Sequence, residues 1–246
     1  MDIQKMHLAV QQGVDKINSF QADTLLPQEI DLELNKAIGK FVNLKYGKNN
    51  LYNKGFEESQ KRIDDLRSIV KEVSGIQPTY EGGYTNRINL YTFELPENYR
   101  FALAINLQVL TKSDCTPLEY DEIQGSFNSQ VTNGSLIRTF ATAKFTQLDD
   151  LGTLLMDPFN TTTKAKPLYT ISGNLIEVYT NDIFIIEDAK IKYLKNPAVV
   201  SLSSGNSCEL ADHTHQEIVD MAISSILEGI GDPRYRTHQI ELGKNE

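Results

Sequence analysis

Residues 214–228 read THQEIVDMAISSILE, and their hydrophobic spacing decides the fold. Ile218, Val219, Ala222, Ile223, Ile226 and Leu227 recur at steps of one, three and four, which gathers them on one side of a 3.6-residue helix. Thr214 followed by Glu217 fits a capping box, with the hydroxyl accepting an amide three residues on and the carboxylate reaching back to the Thr214 amide. Gly229 is the expected stop, because it can turn left-handed without a Cβ clash. Burying such a stripe gains on the order of 10–15 kcal/mol at roughly 1.5–3 kcal/mol per large side chain. Each ordered residue costs about 1–2 kcal/mol of backbone entropy. The helix therefore needs a partner surface, and the N-terminal third of the chain offers one.

Working outward, residues 2–20 place Ile3, Met6, Val10, Val14, Ile17 and Phe20 three and four apart, the pattern of an amphipathic helix. In LLPQEIDLELNKAIGKFVNLKYG, residues 25–47, Pro27 suits a first helical turn. Ile30, Leu34, Ile38, Phe41 and Val42 form the next stripe, and Gly47 ends it. A third helix is expected over 56–73, with Phe56, Ile63, Leu66, Ile69, Val70 and Val73 on its apolar side and Ser74-Gly75 as its stop. Three antiparallel helices joined by short polar turns is the economical arrangement.

Beyond residue 76 the period changes. Residues 77–83 read as a loop, 87–94 alternate, and Leu95-Pro96-Glu97-Asn98 makes a turn. Phe101, Leu103, Ile105, Leu107 and Val109 then alternate without a fault, the clearest strand in the chain. Residues 167–172 and 175–180 flank Gly173-Asn174 as a β-hairpin, and 183–186 and 191–194 add two more strands. The expected fold class is α+β: an N-terminal helical bundle closed by a C-terminal helix, with a mostly antiparallel β region between them. The expected divisions are a helical region at 1–75, a β region at 76–205 with a short helix at about 148–155, the C-terminal helix within 206–230, and an extended tail at 231–246.

Composition narrows the function. Two cysteines, Cys115 and Cys208, are too few for a disulfide framework, so a reducing compartment is expected. No apolar run reaches the roughly 18 residues that span a bilayer, and Asp2, Gln4, Lys5 and His7 interrupt any secretion signal. Asn133-Gly134-Ser135 and Asn160-Thr161-Thr162 fit a glycosylation pattern that means nothing without secretion. The net charge is −9, with eight acidic against three basic groups in residues 201–246 and no basic cluster. Phosphate-driven affinity needs clustered Lys and Arg, which argues against tight nucleic-acid binding.

Catalytic candidates fare poorly. His213 and His215 lie near Cys208, Glu209 and Asp212, but their spacing matches no HExxH or CxxC arrangement, and both sit where a helix begins. Asp149, Asp150 and Asp157 lack the alternating pattern of an EF-hand and read as helix-start and capping residues. Cys208 precedes a helix whose N-terminus would lower its pKa, but no His partner motif accompanies either cysteine. No Walker loop, GxGxxG, GxSxG or kinase signature occurs. No catalytic, metal or cofactor residue is assigned.

Two unpatterned segments remain, 112–133 and 231–246. Structureless runs of about 20 residues in a compact domain are uncommon, and their ordering against another chain is the sharper reading. Glu119, Asp121 and Glu122 in the first, and Arg234, Tyr235 and Arg236 in the second, are the interface candidates, Tyr and Arg being common anchors.

Three groups of strings carry a resemblance: IDLELNKAIGKFVNLKYG (30–47) leading into FEESQKRIDDLRSIV (56–70); QLDDLGTLLMDPFN (147–160), then the Gly-Asn hairpin and IKYLKNPAVVSL (191–202); and CELADHTHQEIVDMAISSILE (208–228) with RYRTHQ after it. Together they resemble the ring proteins of crAss-like tailed bacteriophages, structural proteins of the neck or tail stacked beneath the portal. The resemblance implies a virion protein without enzymatic role or cofactor, assembled in the host cytoplasm. It implies a homo-oligomeric ring, twelvefold to match a portal, in the head-to-tail connector. It further implies contacts to the portal and to neighbouring ring or tail proteins. Double-stranded DNA would pass an acidic lumen at genome ejection without specific binding, and no membrane is involved. Heterologous contacts that close a ring suit a chain with unpatterned arms. Two competing classes are a small carboxylate-dependent hydrolase and a monomeric binding module presenting the strands of 87–112 and 168–194.

Overall fold

In a computed structural model of the chain, residues 1–17, 25–47, 60–85, 87–112 and 136–230 are described. The chain is α+β, with helices at both ends of the described sequence and two β-sheets between them. It divides into two compact units: Met1–Val70 together with Asn196–Glu246, and Lys71–Lys195.

The first unit is helical. Helix α1 (Ile3–Ile17) buries Ile3, Met6, Val10 and Val14, four residues of the expected stripe, and adds His7 to the interior; Phe20 lies outside the described residues. Helix α2 (Pro27–Tyr46) starts with Pro27 in its first turn, and Glu29 Oε2 accepts the Leu26 amide at 2.9 Å. Its buried face is Ile30, Leu34, Ala37, Ile38, Phe41, Val42 and Lys45. The C-terminal helix α5 (His215–Ile230) packs on both α1 and α2, burying Ile218, Val219, Ala222, Ile223, Ile226 and Leu227. A Cβ added at Gly13 of α1 would lie 2.3 Å from Ile223 Cδ1, so the absent side chain there is what admits the isoleucine.

The ends of α5 differ from expectation. Thr214 closes a 3-10 turn (Asp212–Thr214) in which its amide and its hydroxyl both donate to Ala211 O, at 2.9 and 2.8 Å. Glu217 turns instead to Lys45 Nζ, at 2.7 Å, so a buried cation takes the carboxylate that the capping box required. Gly229 lies inside the helix, which continues through Ile230. The third helix also ends earlier than its periodicity predicts: residues 56–59 lie outside the described residues, α3 covers Gln60–Leu66, a 3-10 turn follows at Arg67–Ile69, and strand β1 (Val70–Ile76) takes Val70 and Val73. Val70, Val73 and Ile76 are β-branched and belong with a sheet, while Gly75, expected as a stop, sits in the strand at φ 77°.

The second unit is a two-sheet sandwich. One sheet has the order β1-β9-β4-β5 and the other β2-β3-β8-β7-β6. The strands are β2 (Thr79–Thr85), β3 (Ile88–Glu94), β4 (Tyr99–Lys112), β5 (Leu136–Thr142), β6 (Lys144–Phe145), β7 (Leu168–Ser172), β8 (Leu175–Asn181) and β9 (Phe184–Lys195). Pairings are antiparallel for β2–β3, β3–β8, β7–β8, β4–β5 and β4–β9, and parallel for β6–β7. Inward residues of both sheets merge into one core, among them Tyr91, Phe93, Ile105, Leu107, Val109, Ile176, Val178, Ile186 and Ile191. The β7–β8 hairpin closes through Gly173 at φ 57°.

The β region departs from the sequence pattern at three places. Residues expected as a loop at 77–83 contribute to β2, anchored by Tyr80 packing on Tyr91 with ring centroids 5.4 Å apart; Gly82 and Gly83 hide its alternation. The two strands expected at 183–186 and 191–194 are one, β9, because a bulge opposite Gln108–Val109 shifts the inward set from Phe184 and Ile186 to Ala189, Ile191 and Tyr193. Residues 196–205, expected with the β region, group with the helices: Val200 is buried, and its amide and carbonyl both bond the Asn35 side chain, at 2.9 and 2.8 Å.

The chain changes sheets at a single residue. Ala143 N still donates to Ile105 O of β4 at 2.8 Å, while Lys144 N already donates to Pro167 O beside β7 at 2.7 Å. Helix α4 (Leu148–Met156) follows and lays Leu151 and Leu155 on Ile88, Leu90 and Tyr179 of the second sheet.

Candidate functional site

The six interface candidates, Glu119, Asp121, Glu122, Arg234, Tyr235 and Arg236, lie outside the described residues, as does Cys115. The other tempting groups have structural roles. His213 donates from Nε2 to Asp65 Oδ1 at 2.8 Å. His215 donates from Nε2 to Leu210 O at 2.9 Å, and its Nδ1 meets the Met1 amine. Among the described residues, no group of three His, Cys, Asp or Glu side chains is placed to hold a metal ion. Burial pushes the Cys208 thiol up, overriding the lowering expected from a nearby helix start.

Polar side chains in the helical unit act as internal ties. Asp31 accepts His7 Nε2 at 2.7 Å and the Leu202 amide at 3.1 Å, joining α1, α2 and the 196–206 segment. Lys45 is buried with its Nζ 2.7 Å from Glu217, 3.8 Å from Asp65 and 5.1 Å from the Phe41 ring centroid. Arg62 caps α2 by donating to Leu44 O and Lys45 O, at 3.1 and 3.2 Å. These charges are compensated within the unit and present no open face.

The β unit behaves differently. Five large apolar side chains stand in solvent within residues 140–159: Phe140, Phe145, Leu148, Met156 and Phe159, the first and the last two at 81%, 84% and 93% exposure. Leu148 and Met156 are eight residues apart on one side of α4, with Gly152 between them, while Leu151 and Leu155 face the sheet. The apolar side chains of α4 thus span a wider arc than the sheet covers, which leaves Leu148 and Met156 in solvent beside the buried stripe. Phe145 rests edge-on against Tyr169, at 5.5 Å between centroids.

The turn after α4 fixes Phe159 outside. Asp157 Oδ1 accepts the Phe159 amide at 2.9 Å, Oδ2 accepts the Asn160 amide group at 2.6 Å, and Asp157 O accepts the Thr161 amide at 2.9 Å. The Phe159 amide, and then Asn160, hold the Asp157 carboxyl below its ordinary range. Beside this turn lies a cleft of about 950 Å³ lined by Arg87, Ile88, Leu155, Pro158, Asp182 and Ile183 among others. Its volume falls in the ligand-site range, and among the described residues that line it Asp182 is the single carboxylate. Carboxylate-pair hydrolysis needs two.

No protein-family model matches the chain, and no curated protein shows significant sequence similarity to it. No helix among the described residues is long and apolar enough to cross a membrane.

Sequence reasoning missed Phe140, Met156 and Phe159. The signal was present in LDDLGTLLMDPF, where Leu148, Leu151, Leu154, Leu155, Met156 and Phe159 outnumber the positions that one buried helix face can hold.

Proposed function

We propose that the chain is a structural subunit of a homo-oligomeric ring in the head-to-tail connector of a tailed-phage virion. It would lie beneath the portal, with double-stranded DNA passing an acidic lumen. The single observation that supports the assembly role is the set of exposed side chains Phe140, Phe145, Leu148, Met156 and Phe159, carried on strands β5 and β6, helix α4 and the turn after it. Interface cores are enriched in Phe and Met. The net charge of −9 suits a wall that does not retain DNA. The resemblance of the 30–47, 147–160 and 208–228 strings to crAss-like ring proteins supports the virion context and the twelvefold count.

The test is to purify the chain, measure its solution mass alone and with a portal assembly, and image the mixture by electron microscopy. Closed rings of about twelve copies, alone or seated on the portal, are expected. A chain that stays single in both conditions, or a ring with a strongly basic lumen, contradicts the proposal. The cleft beside Arg87 and Asp182 favours a second reading, a binding module, which calls for a monomer that takes up a small ligand there.

A further inference from the structure

The two sheets expose four edges among the described residues: β1, β5, β2 and β6. Three are blunted. Strand β6 has two residues; β2 loses register twice and holds Gly82 at φ 113°; β1 holds Gly75 at φ 77° and exposes Lys71 and Glu72. Strand β5, LIRTFAT, differs. It pairs with β4 over seven consecutive residues without a register shift, contains no Gly or Pro, and its one charge, Arg138, is tied to Glu187 by two bonds of 2.8 and 2.6 Å. A long, regular, unguarded edge is a template for another strand.

The backbone tells which groups that edge offers. Ala143 N donates to Ile105 O, so the odd-numbered residues of β5 turn their amides and carbonyls toward β4. Arg138, Phe140 and Thr142 therefore turn theirs to the open side. Phe140 is 81% exposed, and Ile137 is 47% exposed although it shares a face with buried Ala141. The sandwich core is thus uncovered at this corner.

We propose that two copies of this chain pair through β5, antiparallel and in a register centred on Thr139. The strand is its own complement there. Arg138 falls opposite Phe140 of the other copy, twice by symmetry, joined by the open-side backbone bonds and placed for cation–π contact on the outward face. Ile137 falls opposite Ala141 and is covered, and Thr139 faces Thr139. A register centred on Arg138 sets two guanidiniums against each other. One centred on Phe140 forms fewer open-side pairs, because Lys144, the partner it sets opposite Leu136, has already crossed to the second sheet. Half-step registers set donors against no acceptor. This two-fold contact is distinct from the head-to-tail contact that closes a ring, so the two proposals stand or fall separately.

The experiment uses the full chain with Cys115 and Cys208 replaced by serine, carrying either Thr139→Cys or Ile137→Cys, under mild oxidation. Thr139 pairs with itself at a non-hydrogen-bonded position with Cα atoms about 4.5 Å apart, within reach of a disulfide. The Thr139→Cys chain is expected to run as a covalent dimer on a non-reducing gel, and the Ile137→Cys chain as a monomer. In sedimentation, Phe140→Pro removes an open-side donor and leaves the β4 ladder intact, while Phe140→Lys keeps the backbone and opposes Arg138. Each is expected to raise the dimer dissociation constant about tenfold or more, with the circular dichroism spectrum unchanged. Equal cross-linking of the two cysteine variants, or a wild-type chain that remains at 27.7 kDa, overturns the pairing. Rings that form normally while the Thr139→Cys cross-link is absent overturn the pairing and leave the ring reading standing.

Discussion

In the helical unit Lys45, Asp65 and Arg62 lie in the interior, while in the β unit Phe140, Met156 and Phe159 lie in solvent. Both depart from the rule that charge stays out and hydrocarbon goes in, in opposite directions. The buried ions have partners within the chain: Lys45 has Glu217 and Asp65, and Arg62 has two backbone carbonyls. The exposed hydrocarbon is not finished in this way. Where a violation is compensated inside the chain it serves the fold, and where it is left open on ordered elements it points outward.

The largest expected effect comes from Lys45→Ala. It leaves Asp65, 1% exposed, beside His213 alone, and a stranded buried charge costs about 3–5 kcal/mol in denaturant unfolding of the full chain. A loss under about 1 kcal/mol would mean that water reaches the cluster, and the contrast between the units would fail on that side.

A smaller effect is expected in the β unit from Thr162→Val. The Thr162 hydroxyl is fully buried, donates to Tyr179 O at 2.5 Å and accepts the Leu168 amide at 3.3 Å. Valine strands both groups for about 1–3 kcal/mol, read from the thermal midpoint. Smaller still is the double change Met156→Ser with Phe159→Ser, which should shift stability by no more than about 0.5 kcal/mol while weakening assembly measured by light scattering. Destabilisation above about 2 kcal/mol would place those side chains in a core rather than at an interface.

The smallest is a local pH response. Asp157 has its folded pKa depressed, so its bonds are present above the ordinary value of 3.8 and are lost as pH falls through the lower folded value. Amide exchange at Phe159 should therefore quicken only below pH 3.8, and Asp157→Asn should remove that titration. Protection that already fades in neutral solution would show that the turn does not hold Phe159 in place.

Much of the fold was legible because one surface repeated. The stripes of α1, α2 and α5 are each buried against a single neighbour set, so period and burial coincide from Ile3 to Val14 and from Ile30 to Val42. Legibility ended where two demands fell on one residue. Val70 and Val73 satisfy both a helical and a β pattern, and a strand took them. The Glu187–Asp188 bulge broke the alternation of β9, and the displaced Glu187 found Gln108 and Arg138. Glu217 was read as a capping partner because nothing local reveals that Lys45, far earlier in the chain, would be buried beside it. The candidate surface was obscured for a related reason: Met156 and Phe159 look like core residues until the sheet is seen to be filled by Leu151 and Leu155.

The division at Val70/Lys71 and Asn196 has a consequence for synthesis. The β unit is one unbroken stretch and can close as soon as β9 has left the ribosome. The helical unit cannot, since α5 is made after the whole β unit. At ordinary translation rates α1 and α2 must wait on the order of ten seconds with their stripes uncovered. Helices α1 and α2 are therefore open to chaperone capture long after they have been made.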